Sequence, residues 1–288
     1  MDISITIPAY NEAASIGALL ESVCSDDYGR HRLLQVIVCD DASTDDTAAV
    51  IEDLALRFPH IIVLRNAGRS GCAHTIARTL ERAKGDAVVR INADVAVEKG
   101  AIALLADALD DGAAVAVGAN VPVFGRATPA ALASCFSFEV VARLKAGPHR
   151  QHYAVGHFVA YRRDMLRGLA FPRDLINDDH YIAAHVTRAG GRVVNVPQAR
   201  CRLKPPATAQ DYWRVSRRVL EGERQLRRRY GIGSAPLSAV LAAVALTAVR
   251  KPLHGLVWAG MYAWSSGRAT PAHDGAYPIA RSTKGSLD

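Results

Sequence analysis

Adjacent carboxylates occur at Asp40-Asp41, at the head of the run Asp40-Asp41-Ala42-Ser43-Thr44-Asp45-Asp46-Thr47. Two such charges at the end of an apolar segment repel one another unless donors or a ligand stand close by. Helix capping accounts for Ser43, Thr44 and one of the later aspartates. Asp40 and Asp41 are left over, with the right chemistry to accept hydrogen bonds from a base or ribose. Asn66-Ala67-Gly68-Arg69-Ser70-Gly71 has glycines that let backbone approach a ligand, and an arginine, Arg69, that can meet a phosphate. A tight turn capped by Ser70 explains the same residues equally well. Asn92-Ala93-Asp94 suits a divalent cation shared with substrate phosphates, since magnesium typically takes one or two carboxylates; a helix cap is the rival role for Asp94. Pro8-Ala9-Tyr10-Asn11-Glu12, taken alone, is ordinary turn-and-cap chemistry, with Asn11 the expected cap. Asp178 and Asp179 begin a helical pattern, where acids are favoured in any case.

Elements must bring these stretches together. Apolar, β-branched runs at 3–7, 34–39, 61–64, 87–91 and 113–117 alternate with helical patterns at 12–24, 46–58, 70–83 and 99–110. Alternation at this period predicts a mainly parallel, Rossmann-like sheet flanked by helices. Ligands bind such sheets outside the carboxyl ends of the strands, which is where the polar stretches fall. Residues 118–200 are less regular, with a helical pattern at 130–145, a strand at 154–162, a helix at 180–189 and an apolar run at 192–196.

In order and spacing the first four motifs resemble the family 2 glycosyltransferases of the GT-A fold, over roughly residues 3–200. The resemblance implies an α/β fold and an enzyme that moves a sugar from a nucleotide diphosphate donor to an acceptor hydroxyl with inversion. It places Pro8, Tyr10, Glu12, Asp40 and Asp41 around the nucleobase and ribose. The Asp-x-Asp triplet of the family falls on Asn92 and Asp94. Asp94 then contacts Mg2+ or Mn2+, and Asn92, an amide where the family has an acid, hydrogen-bonds to the ribose. The catalytic base falls on Asp179, with Asp178 beside it as a substrate contact; His180 follows. Gly156 lies on the acceptor-side strand, where it permits close approach of a substrate, and His157 lines the pocket. Processive synthases of the family carry Gln-x-x-Arg-Trp; Gln210-Asp211-Tyr212-Trp213-Arg214 does not match it, which favours a single addition.

The chain has 288 residues and a formal net charge of +7. Five scattered cysteines form no Cys-x-x-Cys pair, and the first residues read as a strand, not a signal peptide, so a cytoplasmic setting with reduced thiols is expected. Seven arginines lie between Arg214 and Arg229, on a helix expected to end at Gly231. Two apolar stretches follow, 235–249 and 253–264, each short of the ~20 residues a spanning helix needs. A soluble helical hairpin and a membrane-surface segment both fit. The arginines with Trp258, Tyr262 and Trp264 tilt the reading toward the inner face of the cell membrane and a glycan or lipid-linked acceptor. The expected division is a catalytic domain at 1–205, with a nucleotide-binding half at 1–117 and an acceptor half at 118–205, then a basic and apolar helical segment at 206–288.

No glycine-rich loop with Arg and Lys opens the chain, which disfavours a nucleotidyltransferase, and no Gly-x-Gly-x-x-Gly follows the first strand, which disfavours a dehydrogenase. Without an aromatic stacking platform beside the arginines, nucleic acid is not expected as a partner. A non-catalytic, membrane-associated scaffold is the alternative; Asn92 favours it, and the retained acids oppose it.

Overall fold

The computed structural model describes residues 1–153, 156–172, 174–266 and 283–284. In chain order the elements of the first half are β1 (Asp2–Ala9), α1 (Ile16–Cys24), β2 (Arg32–Asp40), α2 (Thr47–Arg57), β3 (Ile61–Arg65), α3 (Cys72–Arg82), β4 (Ala87–Ile91), β5 (Val95–Val97), α4 (Ala101–Asp110) and β6 (Val115–Pro122). The second half contains α5 (Pro129–Ala146), β7 (Phe158–Arg162), α6 (Asp178–Arg188), β8 (Val193–Leu203), α7 (Ala209–Tyr230), α8 (Leu237–Arg250) and α9 (Pro252–Ser266). Short 3-10 turns at Arg150–Tyr153 and Arg163–Leu166 flank β7.

The described strands form one mixed sheet in the order β3-β2-β1-β4-β7-β6-β8-β5. Strands β3, β2, β1 and β4 are parallel neighbours, as are β6 and β8. β7 runs antiparallel between β4 and β6, and β5 runs antiparallel to β8. Ile3, Ile5, Ile7, Val36, Val38, Val89 and Ile91 are fully buried, as strands covered by helices on both faces require. Helices α1, α2 and α4 close one core through Ile16, Leu20, Ile51, Leu54, Ile102 and Leu105.

The expected alternation is observed, with local differences; of the strand expected at 154–162, residues 158–162 form β7 and 154–155 lie outside the described residues. Helix α1 starts at Ile16, not residue 12, because Asn11 adopts φ 53° and does not cap it. Its side chain instead accepts the Thr44 N–H (2.8 Å) across the cleft, while its own N–H donates to Ser43 Oγ (2.9 Å). β5 has only three residues and carries no period of its own. β8 continues past the apolar run to Leu203, since its polar second half pairs with β6 and β5.

Helix α7 is capped by the Thr208 hydroxyl, which accepts from Asp211 N–H, and ends on left-handed Gly231 as expected. Helices α8 and α9 form a hairpin laid on α5, where Phe136, Val140 and Leu144 meet Ala243 and Trp258. The Phe136 and Trp258 rings lie 5.2 Å apart. The outer face of that hairpin exposes Leu237, Leu241, Leu246, Val249, Leu253, Leu256, Tyr262 and Trp264. No described helix is long and apolar enough to cross a membrane.

Candidate active site

The carboxyl ends of β2, β1 and β4 lie side by side in the sheet, the start of α6 meets β4 through Asp178 and Arg90, and the side chains there are heavily cross-linked. Asp41 answers the repulsion problem of its acid pair. Its Oδ1 accepts from Asn66 Nδ2 (2.6 Å) and the Ser70 N–H (2.8 Å), and its Oδ2 from the Gly71 N–H (2.9 Å). Asp41 therefore anchors the turn ahead of α3, while the hydroxyl of Ser70, the expected cap, donates to Gly68 O instead. Asp40 Oδ1 accepts from the Ser43 hydroxyl at 2.5 Å and its N–H at 3.2 Å, while Ala42 between them holds φ 58°. Non-glycine residues in this region store strain of order 1–3 kcal/mol each, and among the described residues the two that adopt it, Asn11 and Ala42, sit in the loops after β1 and β2.

Arg69 lies over the Tyr10 ring, 4.4 Å from its centre, so the third loop closes on the first. The buried Glu12 accepts from the Ser15 hydroxyl (3.0 Å) and pairs with Lys284, whose ammonium burial lowers to about 8. A base contact at Glu12 requires that lysine to be displaced. Pro8 pairs with Cys39, one step before the β1–β2 register ends at Ala9 and Asp40. Asn66, not singled out from sequence, is the hub of this half: it donates to Asp41 and Thr75 and accepts from Arg78.

The other half centres on Asp178 and Asp179. Asp178 is buried against Arg90 of β4, at 2.9 Å. Arg90 also donates to Gly156 O (3.0 Å), and its residue is 4% exposed. Burial pushes the Asp178 carboxyl up, and the Arg90 charge pulls against it. For Asp179 burial acts the same way, but the charges of His180 and Arg90 and two backbone donors outweigh it. Those donors are the N–H groups of His180 (2.8 Å) and Gly156 (3.2 Å). Asp179 is thereby held below the ordinary carboxylate range, ionised and able to accept a proton. Arg90 escaped the sequence reading; the available signal was an arginine inside the apolar strand Ala87–Ile91, two residues ahead of Asn92.

A dipeptide links Asp179 to the Asn92–Asp94 turn. Gly156 N–H donates to Asp179, and Asn92 N–H donates to the carbonyl of the next residue, His157 (2.9 Å). Gly156 has φ 150°, which favours glycine. The His157 imidazole is partly buried, which lowers its pKa, and lies within electrostatic reach of both Asp94 and Asp179. Among the described residues, His157 Nδ1 and Asn92 Oδ1 have no hydrogen-bond partner. Cys72, at the start of α3, is exposed and lies within electrostatic reach of Asp178 and Arg90.

Helix α7 clamps the entry to α6. Gln225 accepts the Ile176 N–H (3.0 Å) and donates to Asp174 O (2.7 Å). His180 Nδ1 meets Glu223 at 2.5 Å. Gly222 lies so close to Asn177 that an added Cβ would stand 2.2 Å from its amide oxygen.

Among the described residues no three His, Cys, Asp or Glu side chains form a metal cage. A cation brought in with a diphosphate needs fewer ligands: one or two carboxylates, with phosphate and water completing the shell. The Asp94 carboxylate and the unpartnered Asn92 Oδ1 are hard oxygen donors of that kind, and they fit such an ion.

The model for glycosyl transferase family 2 matches residues 4–169, more than half of the sequence, and that for glycosyl transferase family group 2 matches residues 87–280. The chain belongs to glycosyl transferase family 2. This family 2 chain is similar to beta-monoglucosyldiacylglycerol synthase of Synechocystis sp., 35% identical over 99 residues, 34% of this chain and 20% of the relative. It is also similar to dolichol-phosphate mannosyltransferase of Pyrococcus furiosus, 28% identical over 120 residues, 42% of this chain and 33% of the relative. The matches thus cover a third or less of these curated relatives. Among solved structures, a mannosyltransferase of Pyrobaculum calidifontis in complex with GDP-Man and Mn2+ has a TM-score of 0.62 at 23% identity, covering 93% of this chain and 76% of that one. Glucosyl-3-phosphoglycerate synthase of Mycobacterium tuberculosis, in complex with Mn2+, UDP and glucosyl-3-phosphoglycerate, has a TM-score of 0.57 at 20% identity, covering 81% of each chain. At these identities the likeness shows a shared GT-A fold.

Proposed function

We propose that this family 2 protein transfers one sugar from a nucleoside diphosphate donor to an acceptor hydroxyl, with inversion, Asp179 acting as base. The supporting observation is the Gly156-His157 dipeptide, which ties Asp179 and the Asn92–Asp94 turn to one another. An inverting displacement needs a carboxylate on the acceptor side and diphosphate-holding groups on the donor side, a short distance apart. The acceptor oxygen bonds to the anomeric carbon as the carbon–oxygen bond to the diphosphate breaks. The bonding pair leaves with the diphosphate, and the hydroxyl proton passes to Asp179.

Pro8, Tyr10, Glu12, Asp40 and Asp41 border the nucleoside end, and Arg69 sits where a phosphate can reach it. Asn92 and Asp94 would hold Mg2+ or Mn2+, which when bound offsets charge on the departing diphosphate. Asp178, tied up with Arg90, steadies the helix start that carries Asp179. Gly156 keeps the acceptor side open. Residues 1–205 serve as the catalytic unit in this reading, and residues 206–288 as its basic and apolar appendage.

The apolar face of α8 and α9 supports attachment to the inner face of a membrane and a lipid-linked acceptor. From Arg224 to His273 there is no Asp or Glu, while Arg224, Arg227, Arg228, Arg229, Arg250, Lys251 and Arg268 are present, a balance suited to anionic lipid.

The test is a panel of nucleotide sugars with magnesium or manganese, reading released nucleoside diphosphate. One donor should be hydrolysed slowly, with the activity lost in Asp94→Ala and Asp179→Ala. Nucleotide binding without turnover under any acceptor would instead favour a scaffold, and absence of nucleotide binding would overturn the donor site.

A further inference from the structure

Lys145 ends α5 with its charged group inside the protein, the residue being 6% exposed. Among the described residues its ammonium has no hydrogen-bond or ion-pair partner. A Cβ built on Gly156 would stand 3.4 Å from Lys145 Nζ and 3.5 Å from Asn120 Nδ2, so ammonium and amide converge on the backbone of that glycine. The same glycine donates its N–H to Asp179. The Asn120 amide is oriented by Cys201, whose thiol donates to Asn120 Oδ1 (3.4 Å). Asp179 acts on Lys145 only through its charge, and burial lowers the ammonium to about 8.

An unpaired buried cation is costly, and buried charges are ordinarily paired. Here the fold keeps one beside Gly156, the glycine whose N–H holds Asp179. We infer that Lys145, with the Asn120 amide, binds a phosphate carried by the acceptor a few bonds from the hydroxyl that faces Asp179. This rests on the glycosyl-transfer reading and adds the substrate class: an anionic, phosphorylated acceptor, either a soluble phosphate ester or a lipid-linked one.

The experiment uses the full chain with its donor site saturated by nucleoside diphosphate and manganese. Glycerol 3-phosphate is the soluble probe and a short-chain prenyl diphosphate-linked N-acetylglucosamine is the lipid-like probe. Glycerol and free N-acetylglucosamine are their unphosphorylated counterparts. Calorimetry should show that one phosphorylated probe binds, that Lys145→Met weakens it about tenfold to a hundredfold, the usual range for one charge-assisted contact, and that Lys145→Arg restores part of it. In transfer assays Lys145→Met should raise KM for the phosphorylated acceptor far more than it lowers kcat. Which probe binds identifies the source of the phosphate. If neither phosphorylated probe binds better than its counterpart, or Lys145→Met weakens both classes alike, the inference is overturned. Loss of donor hydrolysis in the wild-type chain, with probe binding intact, would overturn the catalytic reading and leave the phosphate site standing.

Discussion

At the scale of single residues, the site is organised by charges that neutralise one another. Arg90 is the counter-ion that lets two adjacent carboxylates begin α6 inside the protein. Removing one partner of such a pair leaves the other buried and unpaired, which costs about 3–5 kcal/mol, whereas removing both is far milder. Arg90→Met is therefore expected to lower the urea midpoint strongly, and Arg90→Met with Asp178→Asn to recover much of it. Equal losses in the single and double variants would mean the pair is not the source of the effect. Asp41 shows the same logic in the donor half: three donors converge on one carboxylate and hold the third loop in place.

At the scale of elements, α7 is the brace of the catalytic helix, and its grip depends on pH. The Glu223 charge raises the His180 imidazole above its ordinary value although burial opposes it, and Glu223 is lowered in return. A raised histidine contributes stability that is complete below the unfolded value of about 6.5 and is lost as pH rises through the folded value. The thermal midpoint should accordingly fall as pH rises through that window, and His180→Gln should remove this slope. The α8–α9 hairpin presents the opposite problem, apolar side chains facing outward at Leu237, Leu241 and Val249, one turn or two apart. Leu241→Glu with Leu253→Glu, both on the exposed face, should abolish flotation with phosphatidylglycerol vesicles and leave the fold intact. If wild-type protein ignores anionic vesicles and dimerises through this face, membrane attachment is the wrong reading.

At the scale of the molecule, the cleft joins loops from distant parts of the chain, so a bound donor nucleotide should stabilise the whole. Linkage gives about 2.7 kcal/mol when ligand stands at 100 times its dissociation constant. A nucleoside diphosphate with manganese should raise the unfolding temperature, and Asp94→Ala should remove the part of that shift that requires metal. An identical shift in the variant would show that Asp94 does not hold the ion. Lys284 belongs to this scale as well: a residue from the far end of the chain pairs with Glu12 in the first loop.

Much of the fold was legible because strand and helix patterning is local. Residues 3–7, 34–39 and 87–91 read as strands from their β-branched runs, and the loops after them held the acids and glycines that line the cleft. Family membership followed from the same stretches. What stayed hidden depends on long-range approach. Nothing near Asp41 in the chain announces that its partners are Ser70 and Gly71, and nothing near Asp178 announces Arg90, 88 positions earlier in the chain. Lys145 reads as one more solvated lysine on a helix until α5 is packed and its ammonium comes to rest beside Gly156. The sequence by itself determined which elements form and which loops carry polar groups, because propensity and period act over a few residues. Only the tertiary structure decided which charges are paired, buried or left open, because those depend on the burial and counter-ions that packing creates.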